Sequence, residues 1–195
     1  MDIVILFFVV VGLIGVIVMT AFNALVRLRN EVKNGFAQID VQLKRRYDLL
    51  PNIVETSKAS MKHERETLEN VIRARNQALS SMEAIKGSMN AETLQKLFQA
   101  EGQVGAALKQ FSVVLENYPD LKANATLNQA MEEIASTENK VSFARQAFND
   151  SVMLYNNKRE TFPSNLVANA FGFVTMASFE VQSPQEREAV KVSYN

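Results

Sequence analysis

The sequence predicts an all-α protein, with an N-terminal transmembrane helix followed by an antiparallel up-down-up-down four-helix bundle. Residues 3–26 carry no charge and are almost wholly apolar. Beyond them, apolar residues recur at steps of three and four through several long segments, the period of amphipathic helices. Only seven Gly and four Pro occur in 195 residues, so there is little to interrupt helices.

The first element, residues 1–26, is the anchor. About 20 apolar residues cross a bilayer core, and IVILFFVVVGLIGVIVM supplies them, with Ile3, Leu6, Phe7, Phe8, Val11, Leu13, Ile14, Ile17 and Met19 expected to face lipid. The apolar core is longer than that of a cleaved signal peptide, and Asp2 stands where such a peptide is basic. A retained anchor is therefore expected. Arg27, Arg29 and Lys33 follow the span, whereas only Asp2 and the terminal amine precede it. Counting basic residues places the C-terminal domain in the cytoplasm of a bacterial cell, with the span in the inner membrane.

Four helical segments are expected within residues 27–162. The first stripe runs Leu25, Leu28, Val32, Phe36, Ile39, Leu43, Tyr47 and Leu50, and the second Val54, Met61, Leu68, Ile72, Leu79 and Met82. The third is the most regular, Leu94, Leu97, Val104, Leu108, Phe111, Leu115 and Tyr118. The fourth runs Leu127, Met131, Ile134, Val141, Phe148, Val152, Tyr155 and Phe162. Narrow stripes on long helices are the mark of a bundle. Asn90, after the glycine of KGSMNAET, and Asn124, after YPDLKA, are candidate N-caps, and Pro163 closes the fourth segment.

Between the first two segments lies QLKRRYDLLP. If Asp48 is an N-cap, Pro51 falls in the first helical turn, where its missing N–H is harmless. Lys44, Arg45 and Arg46 then occupy the preceding helix end and offset its dipole. A helix continuing through Pro51 with a kink is the other geometry; the turn is preferred because it gives helices two and four a first helix to cover them.

Glu64, Arg75, Glu101, Glu138 and Arg145 interrupt the stripes. Interior glutamates in a bundle raise the possibility of a di-iron site, which needs paired Glu-x-x-His motifs. The single histidine, His63, cannot supply them, and His63-Glu64 lacks the second histidine of a zinc-protease helix. The five groups are expected to form a polar layer that sets helix register. No catalytic residue, cofactor or metal ligand is expected. With 21 basic and 21 acidic residues and no basic-aromatic surface, nothing favours nucleic acid, and no small-molecule substrate is implied. Cysteine is absent, which removes thiol chemistry.

Residues 163–179 form an uncharged segment, too short to span a bilayer. After four antiparallel passes it returns to the membrane, so Phe162, Leu166, Phe171, Phe173 and Phe179 are candidates for the bilayer interface; the alternative is that the segment folds back to close the end of the bundle. The polar stretch 180–195 is expected to be an extended tail.

LVRLRNEVKNGFAQIDVQLKRRYDLLPNIVE, HERETLENVIRAR, YPDLKANA, STENKVSFARQAFNDSVMLYN and FPSNLVANAFGF together resemble the LemA family, in order and over nearly the whole chain. Met61-Lys62 before His63 and Thr126-Leu127 after YPDLKANA depart from that pattern. The resemblance implies a single N-terminal membrane helix, an antiparallel four-helix domain and no assigned enzymatic activity. The expected function is a membrane-anchored, non-enzymatic scaffold, homo-oligomeric at the lipid bilayer, that organises membrane or protein partners. Phe98, Val113, Val114, Phe143 and Met153, which lie off the main stripes, would supply its contacts. The alternative is a monomeric adaptor that binds one soluble protein partner through a bundle face.

Overall fold

The computed structural model describes residues 2–179; the expected polar tail, 180–195, lies outside them. Six helices follow one another: α1 (Asp2–Lys58), α2 (Arg65–Gly87), α3 (Ala91–Leu115), α4 (Pro119–Lys122), α5 (Ala125–Glu160) and α6 (Ser164–Ala170). No strand occurs among the described residues.

The dominant element is α1, a continuous helix of 57 residues, about 85 Å long at 1.5 Å per residue. Its apolar first part is exposed along Ile3–Met19, and by length and composition it is the one helix among the described residues able to cross a membrane. Burial begins at Ala21 and continues through Leu25, Val32, Phe36, Ile39, Leu43, Tyr47 and Leu50. The apolar first part and the first core helix are thus one continuous helix.

The expected turn at Asp48–Pro51 is not there. Pro51 lies inside α1, Asp48 is exposed and caps nothing, and the chain reverses instead through residues 59–64. A proline in a helix interior deprives the carbonyl four residues earlier of its donor. Here that carbonyl belongs to Tyr47, and Arg75 of α2 replaces the missing donor, its Nε–H bonding the Tyr47 oxygen at 2.7 Å. The turn that follows buries Met61 completely.

α1 packs along α5, α2 along α3, and α2 returns against α1. In the α1–α5 seam a Cβ at Gly35 would stand 3.3 Å from the Phe148 Cα; a hydrogen there lets the backbones approach. Asn90 caps α3 with a reciprocal capping box to Thr93, and the Asn124 side chain accepts the Leu127 N–H at 3.0 Å to start α5. Each such cap is worth about 1 kcal/mol.

α6 ends in a Schellman turn: the Phe173 N–H reaches the Ala168 carbonyl at 2.9 Å, with Gly172 between them at φ +70°. Glycine takes this left-handed position without a steric penalty. The chain then runs extended from Phe173 to Phe179 along α5.

Candidate functional site

Four of the five polar residues that interrupt the stripes, Arg75, Glu101, Glu138 and Arg145, converge around Arg46 and Tyr47. The position of Arg46 on α1, three residues after Leu43 and four before Leu50, keeps it on the buried stripe, and its side chain is only 5% exposed. Nη1 donates to the Glu101 carboxylate on α3 at 3.1 Å. Nη2 stands 3.9 Å from the Glu138 carboxylate on α5, and Nε has no hydrogen-bond partner. The Tyr47 hydroxyl donates to the other oxygen of Glu101. With Arg75 on the Tyr47 carbonyl, two consecutive residues of α1 hold groups from α2, α3 and α5.

Burial sets the acid–base character of this node. It pushes the Glu101 carboxyl above its ordinary value, against the downward pull of the Tyr47 hydrogen bond and of the Arg46 and Arg145 charges. Burial, then the charge of Glu101, drive the Tyr47 phenol well above its ordinary range. Tyr47 therefore stays a proton donor in the hydrogen bond. Arg145 sits over the rings of Phe98, at 4.6 Å, and Phe179, at 5.1 Å, where a guanidinium is attracted to the π face.

Beside the node is a cavity of about 330 Å³ bordered by α1, α3 and α5. Gly102 and Gly105 leave the α3 wall bare, and a Cβ at either would meet nothing within 4 Å. Among the described residues no group of three or more His, Cys, Asp or Glu is placed to hold a metal ion. His63 is exposed in the turn between α1 and α2.

Several expected roles are redistributed. Lys44, Arg45 and Arg46 do not mark a helix end: Lys44 is exposed, Arg45 pairs with Glu133 of α5, and Arg46 is the centre of the node. Glu64 is not a member of the layer; it occupies the N-cap position of α2 and makes no side-chain cap bond. Phe173 and Phe179, expected at the bilayer interface, are each 6% exposed, because the segment carrying them turns inward against α5. Phe162, Leu166 and Phe171 are exposed. Of the basic residues after the span, Arg27 lies 3.9 Å from Glu31, Lys33 is exposed, and Arg29 covers the Phe173 ring at 5.2 Å.

A second polar device has no counterpart among the sequence expectations. Asn156 donates its Nδ2–H to the Met176 carbonyl at 2.8 Å and accepts the Met176 N–H at 3.0 Å. Asn149 does the same for Phe179, at 3.0 and 2.8 Å. Seven helical residues rise about 10.5 Å and three extended residues about 10 Å, so the two asparagines match the two backbone positions. Tyr155 and Arg159 add hydrogen bonds to the Val174 and Phe173 carbonyls. Two asparagines seven apart in a helix, where the residue is a poor helix former, are the trace this device leaves in the sequence.

The fold and its node define an all-helical protein with one membrane-length helix and an internal Arg–Glu–Tyr cluster joining its long helices. The chain belongs to the LemA family, whose sequence model matches residues 35–194; this is not a known enzyme family. The chain is 30% identical over 190 residues to Protein LemA of Metamycoplasma hominis, covering 97% of this chain and 82% of that protein. It is also similar to the magnetosome protein MamQ of Magnetospirillum gryphiswaldense, 24% identical over 179 residues, which is 81% of this chain and 64% of that protein.

Proposed function

We propose that this protein is a membrane-anchored, non-enzymatic scaffold whose copies associate laterally at the bilayer. In this reading α1, α2, α3 and α5 form an antiparallel up-down-up-down bundle that stands off the membrane on α1. The basic residues Arg27, Arg29 and Lys33 hold it on the cytoplasmic side of the inner membrane.

The observation that carries the reading is the outer face of the α1–α5 seam. Phe143 is 73% exposed and Val41 60%, and they share a shallow groove with Ala37 and Ala147. A large aromatic this exposed beside a groove whose walls include Ala37, Ala144 and Ala147 is suited to receiving the same face of a second copy. Anchoring favours that contact, because copies confined to one membrane in one orientation meet at high effective concentration. The node fits the same role: a buried Arg–Glu pair adds little stability but restricts which helix register is acceptable, as a rigid assembly unit requires.

Light scattering on the full chain in mild detergent tests this. A defined oligomer that dissociates on Phe143→Ser supports the scaffold. A monomer for both proteins would contradict it and favour an adaptor that binds a soluble partner.

A further inference from the structure

The last turns of the apolar span are not bare. Ala21 is buried, and Val18, Phe22 and Val26 pack against the core. α6 packs on both α1 and α5, and the turn after it reaches the span itself: the Phe22 ring lies 5.0 Å from Phe171 and 5.6 Å from Phe173, edge to face. From Ile3 to Phe22 the helix rises about 29 Å, and a bilayer's hydrocarbon core is about 30 Å thick. If Ile3 stands at one edge of that core, the Phe22–Phe171 contact stands at the other.

The surface that this piece turns outward carries four large apolar side chains, with Asn169 and Thr175 beside them. Phe162 is 74% exposed, Leu166 60%, Phe171 57% and Val174 70%, and residues 162–179 contain no charged side chain. Its inward surface is apolar as well, with Val167, Ala168 and Phe173 buried. Neither surface is suited to water. Part of the backbone is also provided for without water: in the run after Gly172 the carbonyls of Phe173, Val174, Met176 and Phe179 accept from Arg159, Tyr155, Asn156 and Asn149. Satisfying the main chain internally is what a lipid-facing segment requires.

We propose that α6 and the turn at 171–174 form a collar around α1 that inserts into the headgroup–acyl boundary of the leaflet nearest the helical domain. Phe162, Leu166, Phe171 and Val174 are its lipid-contacting side chains. The collar fixes the depth of the span and couples it rigidly to α5. It rests on the reading of α1 as a membrane span.

The chain has no tryptophan, so single substitutions report their own surroundings. The full chain is placed in phosphatidylcholine vesicles whose acyl chains are brominated near the headgroup, with Phe171→Trp as probe. Phe7→Trp reports the span, and His63→Trp, at the far end of α1, reports water. The proposal predicts blue-shifted Phe171→Trp emission that loses roughly half its intensity to the bromolipid, with His63→Trp unaffected. Phe7→Trp is expected to be quenched by lipid brominated deeper in the chain. Unquenched Phe171→Trp beside a quenched Phe7→Trp overturns the collar and leaves the anchor standing: red emission then means water, and blue emission a second copy. If neither is quenched, anchor and collar both fail. Phe162→Trp repeats the test, and circular dichroism checks that each variant keeps its helicity.

Discussion

Arg75 and Tyr47 are joined by a hydrogen bond that exists because of a third residue. The Tyr47 carbonyl is the one that Pro51 cannot serve, and the Arg75 Nε–H, 2.7 Å away, serves it from the next helix. A local defect in α1 is thereby turned into a tie between α1 and α2.

This tie predicts a coupling. Arg75→Ala leaves a partly buried carbonyl without its donor and is expected to cost about 1–3 kcal/mol. In a Pro51→Ala background the backbone N–H restored at that position takes over, and the same substitution becomes nearly neutral. A double-mutant cycle from thermal unfolding of the full chain in mild detergent measures the coupling; additive effects would show that the bond contributes nothing.

At the node, Arg46→Met strands the Glu101 carboxyl in a buried site and is expected to destabilise by about 3 kcal/mol. Adding Glu101→Gln replaces the stranded carboxyl with a neutral amide that still accepts the Tyr47 hydroxyl, and recovers most of the loss. Unfolding midpoints for the single and double variants check this.

Stability should also depend on pH through Glu101. Its folded carboxyl titrates above the ordinary 4.5 because of burial, so the folded state binds that proton more tightly than the unfolded chain does. The stabilisation is complete below the ordinary value and is lost as pH rises through the raised one. Glu69 and Glu92, lowered by Arg65 and Lys96, act in the opposite sense, but exposed pairs contribute little. Glu101→Gln removes the titrating group. Melting curves between about pH 4 and 8 are expected to show the fall in the parent protein and a flatter profile in the variant.

The extended segment gives a residue-level prediction. Asn156→Ala deletes both bonds to Met176, and amide exchange there should accelerate roughly tenfold, the equivalent of about 1.4 kcal/mol. Phe179, held by Asn149, should change much less. Uniform acceleration from Phe173 to Phe179 would mean that the segment opens as one unit.

Much of the helical layout is legible in the sequence because it is local. The stripe from Leu94 to Leu115 and, apart from the half-buried Met131, that from Leu127 to Tyr155 are buried as their spacing indicates, and Asn90 and Asn124 cap where the stripes begin. Pro51 misleads because its local rule favours a helix start, whereas what rescues the continuing helix is a side chain 28 residues from Tyr47. Arg46 reads as one of three charged neighbours, although its spacing from Leu43 and Leu50 already places it on the buried face. The inward turn of Phe173 and Phe179 depends on Gly172 and on asparagines in α5, a tertiary arrangement that an uncharged stretch read by itself does not disclose.

The scaffold reading stands or falls on whether anchored copies meet through the α1–α5 face. Because the chain contains no cysteine, Ala147→Cys introduces a single thiol in the groove of that face and leaves Phe143 in place. Mild oxidation of the full chain in native membranes is predicted to give a disulfide-linked dimer, while His63→Cys, in the exposed α1–α2 turn, gives little. No dimer through residue 147, or equal dimer from both positions, would contradict self-association through this surface.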